Sequence, residues 1–266
     1  MSKISFLYKK ILFNLKPKVN LDKLNLKKNT LEDLFNYFGS DKGSKVNNPY
    51  KNNANEEIGH GFGEFYEKHL EGLKEQKINL LEIGTWKGSS IASFYFYFKN
   101  ANIFCIDRNY KFNFRSKRIN FFNCNTQDER QMIKLLNFFK KKNCKSFDII
   151  IDDGSHLLSD ISKNFIFFFK LLKPNGYYII EDYNHPKYYN YLNDLKPEEP
   201  FIDEVLNFMK KKEIFKSSLF STAIQREISN DIEDIFKYKG GMFNEDTNIS
   251  DIAFIKKKGR TIDSQY

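Results

Sequence analysis

The sequence predicts an α/β fold: a mostly parallel open sheet with helices on both faces and an antiparallel strand pair near its C-terminal end. Three observations predict it. From Ile78 onward, short apolar runs alternate with segments of helical length and period, the pattern of βαβ units with right-handed crossovers. The first run closes on a glycine-punctuated turn. The second, fourth and fifth close on acids, namely Asp107, Asp152-Asp153 and Glu181-Asp182, and open α/β sheets bind ligands at those carboxyl ends.

In chain order, residues 1–30 read as a basic amphipathic appendage, with Lys3, Lys9, Lys10, Lys16 and Lys18 set among Phe6, Leu7, Ile11, Leu12 and Leu15. Residues 31–76 read as a helical cap region. Thr30 caps a helix over 31–38, with Glu32 and Asp33 in the first turn where the helix dipole favours them. A polar loop over 39–57 and a helix over 64–73, with apolar Phe65, Leu70 and Leu73, complete that region. The domain itself spans 77–258. Its first five strands are expected at 78–83, 101–106, 119–123, 147–151 and 177–180, the fourth apolar on both faces apart from Asp148, as a central parallel strand should be. Helices are expected at 89–98, at 127–140 with Met132, Leu135, Leu136 and Phe139 on one face, and at 161–172. Lys173-Pro174-Asn175-Gly176 signals a helix end and a turn. A helix over 201–211 and strands over 232–238 and 249–256, separated by Gly240-Gly241, finish the sheet, and 259–266 is a tail.

The 266 residues suit one large domain, and 28 Phe and 15 Tyr supply a sizeable core. Three cysteines do not make a disulfide framework and fit a reducing cytoplasm. The net charge of +9 is spread over short runs such as Lys140-Lys141-Lys142 and Lys210-Lys211-Lys212, the pattern of solvated faces, so no nucleic-acid partner is expected. Lys9-Lys10 interrupt any signal-peptide apolar core. Two roles stay open for residues 1–19: weak contact with an anionic membrane surface, or docking on the domain or on a second subunit of a homo-oligomer.

The first turn, Glu82-Ile83-Gly84-Thr85-Trp86-Lys87-Gly88-Ser89, lets the backbone bend at Gly84 and enter a helix at Gly88. Asp107, closing the second strand, suits the two hydroxyls of a ribose. A dinucleotide fingerprint is excluded, because Trp86 stands where its second glycine would fall. Glu82 instead fits a methionine amine or a bound-water network. Gln127 and Asp128 follow the third strand, where an adenine edge would lie, and equally begin the next helix. At the ends of the fourth and fifth strands, Asp153, Glu181 and Asp182 converge on one hard cation such as Mg²⁺, with His156 as a general base beside it. The alternative makes Asp152 and Asp153 helix caps and His156 a surface residue.

The order Leu81-Glu82-Ile83-Gly84, Asp107, Phe147 to His156 ending in Asp-Asp-Gly-Ser-His, and Gly176 to Asp182 ending in Glu-Asp, resembles the metal-dependent macrolide-sugar (demethylmacrocin-type) O-methyltransferases. Phe38-Gly39-Ser40-Asp41-Lys42-Gly43 resembles that family's Gly-Ser-Asp-Lys segment, which lies close to the cofactor. The resemblance covers about residues 37–183 and the late strand pair. It implies a Rossmann-like class I fold and transfer of a methyl group from S-adenosylmethionine (SAM) to a sugar hydroxyl of a glycan or glycoside. It further implies Mg²⁺ on Asp153, Glu181 and Asp182, with His156 as the base. The SAM-binding set is then Ser40, Glu82, Gly84, Thr85, Gly88, Ser89, Asp107, Gln127 and Asp128. The chain departs from the family after Asp182. There Tyr183, Tyr188, Tyr189 and Tyr191 either stack on a sugar or cover the sheet end, and His185 is the reserve base. An RNA methyltransferase, suggested by charge alone, and a catalytically silent SAM-binding protein are the competing readings.

Overall fold

The structure, a computed structural model, describes residues 3–45 and 58–259, with side chains from Tyr8 onward. The far part of the polar loop and nearly all of the expected tail lie outside the described residues. The chain divides into two compact units, residues 1–78 with 82–138, and residues 79–81 with 139–266.

The first unit holds α1 (Lys3–Leu15), α2 (Leu31–Phe38), α3 (Gly63–Leu70), α4 (Ser89–Tyr97), the end of β1 (Asn79–Ile83), β2 (Asn102–Asp107), β3 (Ile119–Asn123) and most of α5 (Glu129–Lys141). β2 and β3 run parallel, from Ile103 opposite Ile119 to Asp107 opposite Asn123. Thr30 caps α2 as expected, its Oγ1 accepting the Asp33 N–H at 3.1 Å. Leu31, Leu34 and Phe35, at helical spacing, form the buried face of α2. Phe35 meets Tyr66 and Phe94 edge-on, at 6.0 and 5.5 Å between ring centroids. On α1, Phe13 lies 5.2 Å from both Tyr110 and Phe121, and Val19 pairs in parallel with Phe114. These contacts gather residues expected as an appendage and a cap into the same unit as the first strands. Two apolar faces differ from expectation. On α3, Tyr66 with Leu70 is buried rather than Phe65, and on α5, Leu136 is exposed while Met132, Leu135 and Phe139 are buried.

The second unit pairs β4 (Phe147–Asp152) in parallel with β5 (Leu172–Glu181). β7 (Asp251–Lys257) runs antiparallel to β5 on one side and to β6 (Ile232–Lys239) on the other. The expected turn at 173–176 is a bulge instead. Phe147 pairs with Leu172 but Ile149 with Tyr177, so β5 starts earlier and loops out where Asn175 takes φ +63°. α6 (Leu158–Phe168) accordingly begins and ends before the expected helix. α8 (Ile202–Lys211) matches expectation. Two helices are additional to the expected elements. α7 (His185–Tyr188) begins with Pro186 in its first turn, and α9 (Thr222–Asp231) is capped by Ser221.

Strand order is β3-β2-β1-β4-β5-β7-β6 in a seven-stranded sheet, with β1 lending residues to both units. The order reverses at β1, the topology of a Rossmann-like α/β fold, mostly parallel with the late antiparallel pair. Among the described residues no helix is long and apolar enough to cross a membrane. Cys105, Cys124 and Cys144 are separate buried thiols, and burial pushes the latter two up to about 12 and about 11.

Candidate active site

The β1 turn is tied to the end of β2. Ile106 O accepts from Gly84 N at 2.9 Å and Thr85 N at 3.3 Å, and Thr85 O accepts from Gly88 N at 2.8 Å. Gly88 has φ +88°, and a Cβ there would meet the Phe112 ring at 2.3 Å, so both the conformation and the close packing require glycine. Gly84, at φ +90°, bends the chain as expected. Trp86 takes φ +48° without glycine's freedom, and its N–H donates to Asp107 Oδ2 at 2.8 Å. Asp107 Oδ1 accepts the Asn109 N–H at 2.5 Å. Two backbone amides therefore aim this carboxylate, and each oxygen keeps acceptor capacity for a ligand hydroxyl. Ser89 opens α4.

Glu82 is fully buried. Ser90 Oγ donates to its Oε2 at 2.9 Å, and Lys42 Nζ lies 3.9 Å from its Oε1, with a side chain only 1% exposed. Thr85 Oγ1 donates to the Glu82 carbonyl at 3.4 Å. Lys42 reaches that position because its segment is paired on both sides. His60 N donates to Asp41 O and Phe62 N to Lys42 O, both at 2.7 Å, while Ser40 N donates to Phe35 O at 2.9 Å. Ser40, in the same segment, is also buried. A lysine in a polar loop reads as solvated, so spacing alone does not reveal this one. Its signal is the Gly-Ser-Asp-Lys string.

Asp128 precedes α5 and caps it, accepting from Gln131 N at 3.1 Å and Gln131 Nε2 at 2.9 Å. These bonds hold its carboxyl below the usual range. Gln127 Oε1 is buried and has no hydrogen-bond partner among the described residues, which leaves an acceptor for an amino group.

In the second unit, neighbouring aspartates diverge. Asp152 is buried, accepts from Asn164 Nδ2 and Tyr178 OH at 3.2 Å each, and is pushed up to about 7 by burial. Asp153 is partly exposed, and its Oδ1 lies 3.7 Å from His156 Nε2. His156 takes φ +57° and Asp182 φ +51°. With Trp86, they are three of the seven non-glycine residues with left-handed backbone among those described, and such strain gathers at functional turns.

His185 opens α7 and is almost wholly buried. Its Nε2 lies 3.0 Å from Ile249 O and 3.5 Å from Asp182 Oδ1. A carbonyl only accepts, so Nε2 carries the proton of a neutral ring. Burial pushes this imidazole down to about 4. The His156 and His185 rings stand 5.1 Å apart at 65°. Behind them, Asp182 N donates to Asp251 O at 2.6 Å, and the buried Asp251 carboxylate accepts from Asn184 Nδ2, Tyr188 OH and Lys239 Nζ at 2.8–3.0 Å. This pins the turn after β5.

His156, Asp182 and His185 offer ligand atoms that all lie within 4.8 Å of one another. Asp153 adjoins the group through His156, and Glu181, the buried last residue of β5, is not in it. The cluster is therefore richer in imidazole than the expected set of three carboxylates, and His185, expected as the reserve base, belongs to it. Tyr183 is buried, which removes it from any stacking role, whereas Tyr191 is exposed 5.8 Å from Tyr189.

Residues 81–183 match a family model described as a methyltransferase domain. The chain is 28% identical over 130 residues to mycinamicin VI 2''-O-methyltransferase of Micromonospora griseorubida, covering 46% of this chain and 31% of that protein. It is 29% identical over 132 residues to L-olivosyl-oleandolide 3-O-methyltransferase of Streptomyces antibioticus, covering 46% and 32%. The chain thus spans about a third of the length of the curated relatives it matches. Among solved structures, it is similar to the MycE methyltransferase of the mycinamycin biosynthetic pathway in complex with Mg and SAH. The TM-score is 0.62 at 22% identity, covering 90% of this chain and 57% of that one. A likeness at that identity establishes the class I methyltransferase fold.

Proposed function

We propose that this chain is a SAM- and Mg²⁺-dependent O-methyltransferase acting on a sugar hydroxyl of a glycan or glycoside. The observation that carries the reading is the cluster of His156, Asp182 and His185, with Asp153 beside it, on the turns that close β4 and β5. Similarity to enzymes named for methylating sugar hydroxyls supports it.

SAM, when bound, supplies an electrophilic methyl group on its sulfonium. The residues of the first unit suit it. The Asp107 oxygens, already aimed by backbone amides, take the ribose hydroxyls, and Gln127 Oε1 suits the adenine amino group. Glu82, steadied by Ser90 and faced by Lys42, takes the methionine amine. Gly84, Thr85, Gly88 and Ser89 present the turn, and Ser40 belongs to the same paired segment as Lys42. Asp128 serves through α5 by fixing the start of the helix beside Gln127.

Mg²⁺, when bound, supplies a hard Lewis acid that orients and acidifies neighbouring sugar hydroxyls. Asp153, Glu181 and Asp182 would hold it. Their oxygen donors suit a hard cation, and Glu181 and Asp182 are both buried at the strand end. His156 takes the hydroxyl proton. It is the less buried imidazole, and Asp153 stabilises the imidazolium that forms. His185 is a positioning residue, because its Nε2 is committed to Ile249 O and burial keeps the ring neutral.

The test uses SAM carrying a labelled methyl group, a panel of deoxysugar glycosides including mycinamicin VI, and total RNA. The label should pass to a glycoside with Mg²⁺, stop with chelator and resume on adding Mg²⁺. Label in RNA, or undiminished transfer in excess chelator, would overturn the reading.

A further inference from the structure

Helix α1 carries an apolar stripe that faces away from the protein. At about 100° per residue, Tyr8, Ile11, Leu12 and Leu15 share an arc of roughly 100°, while Phe13 points to the other side. The structure agrees with that geometry. Phe13 is buried against Tyr110 and Phe121, with Lys18 Nζ 3.6 Å above its ring. Tyr8 is 62% exposed, Ile11 and Leu12 48% each, and Leu15 74%, and Val19 prolongs the row. A helix docked by one face and exposing four large apolar side chains on the other leaves an apolar patch that needs a partner.

The charges around the stripe choose the partner. Lys9 and Lys16 flank it on one side, and no acidic residue precedes Asp22. At the C-terminal end of the helix, Asn14, Lys16, Pro17, Lys18 and Arg115 line a cavity of about 290 Å³ with three cationic side chains. A second copy of the chain, meeting this surface by two-fold symmetry, would set lysines against lysines. A nucleic acid would answer the charge but leave the apolar row in water. An anionic lipid surface answers both, since acyl chains take the stripe and headgroup phosphates meet the lysines.

We propose that α1 is a membrane-surface anchor. It lies in the plane of an anionic bilayer with Tyr8, Ile11, Leu12 and Leu15 in the acyl boundary, and the cavity lined by Lys16, Lys18 and Arg115 receives a lipid phosphate. The proposal does not depend on the methyl-transfer reading.

The full chain is sedimented with vesicles of phosphatidylcholine alone or mixed with phosphatidylserine. It should pellet with the mixed vesicles and far less with phosphatidylcholine alone, and salt should weaken the binding. Leu12→Asp with Leu15→Asp should lower the pelleted fraction at least tenfold. Lys9→Glu with Lys16→Glu should abolish the preference for phosphatidylserine. Each variant is checked for unchanged circular dichroism and melting temperature, which shows that the fold is intact. Equal pelleting of the double aspartate variant with wild type would overturn the proposal. So would pelleting of wild type with neither vesicle. So would a lipid-free dimer, or retention on RNA, that the aspartate pair abolishes.

Discussion

The turn after β1 and the turns after β4 and β5 both present carboxylates at the ends of parallel strands, yet they are built differently. After β1 the backbone does the work. Two glycines at positive φ shape the loop, and main-chain amides of Trp86 and Asn109 aim Asp107. After β4 and β5 side chains do the work. His156 and Asp182 sit in left-handed backbone without being glycine, held by the ring of His185 and by Asp251 behind it. The first construction suits a cofactor with many hydroxyl and amine contacts. The second suits a cation and a moving proton. A backbone-built site should fail by losing its fold, and a side-chain-built site by losing its chemistry.

The largest effect expected from that contrast is on turnover. His156→Ala should lower methyl transfer by about 10²–10⁴-fold while SAM affinity stays, because general-base help is worth that much. Labelled-methyl assays with calorimetric SAM binding measure both. A near-wild-type rate would remove His156 from proton transfer. In the other turn, Gly88→Ala should act on the fold. A Cβ there meets Phe112 and the residue keeps φ +88°, so a loss of about 2–4 kcal/mol is expected from urea unfolding, combining strain and overpacking. A loss below about 1 kcal/mol would show that the loop relaxes.

A pH profile sharpens the comparison further. The His185 imidazole sits at about 4 when folded against about 6.5 unfolded, so its contribution is present above the unfolded value and is lost as pH falls toward 4. That loss is of order 3 kcal/mol. Asp152 runs oppositely. Raised to about 7, it contributes below pH 4, and that contribution is lost as pH rises through 7. In chelator, the two slopes should largely cancel between pH 4 and 6.5. His185→Gln should uncover the Asp152 slope, with stability falling as pH rises, and an unchanged profile would mean that His185 is charged when folded. The smallest effect lies outside both turns. Thr30→Ala should cost about 1 kcal/mol through the lost α2 cap, read as a shift in the urea midpoint.

Much of the fold was legible because period and punctuation agreed. The third strand, at 119–123, and the α2 cap fall where the apolar pattern and Thr30 put them. The turn signal at 173–176 misled because proline and glycine mark a bulge inside β5 as readily as a loop between elements. α7 and α9 were illegible. One is four residues long, and the other is largely polar, held by Ser221 and by Gln225 bonding the Phe215 and Phe220 carbonyls. Within the site, acids at strand ends were readable from order alone, since parallel strands bring their ends to one rim. Lys42 within the Gly-Ser-Asp-Lys string and His185 as reserve base were visible as residues, but their roles were not, because burial decides them and burial is set by distant partners such as Phe62 and Ile249.

The rim closed by β4 and β5 should hold a divalent cation. Mn²⁺ stands in for Mg²⁺, and its binding to the full chain can be followed by electron paramagnetic resonance without knowing the acceptor. Stoichiometric Mn²⁺ that Mg²⁺ displaces is expected. Asp182→Ala and Asp153→Ala should each weaken Mn²⁺ binding at least tenfold with SAM affinity unchanged. Wild-type Mn²⁺ affinity in both variants would contradict that expectation.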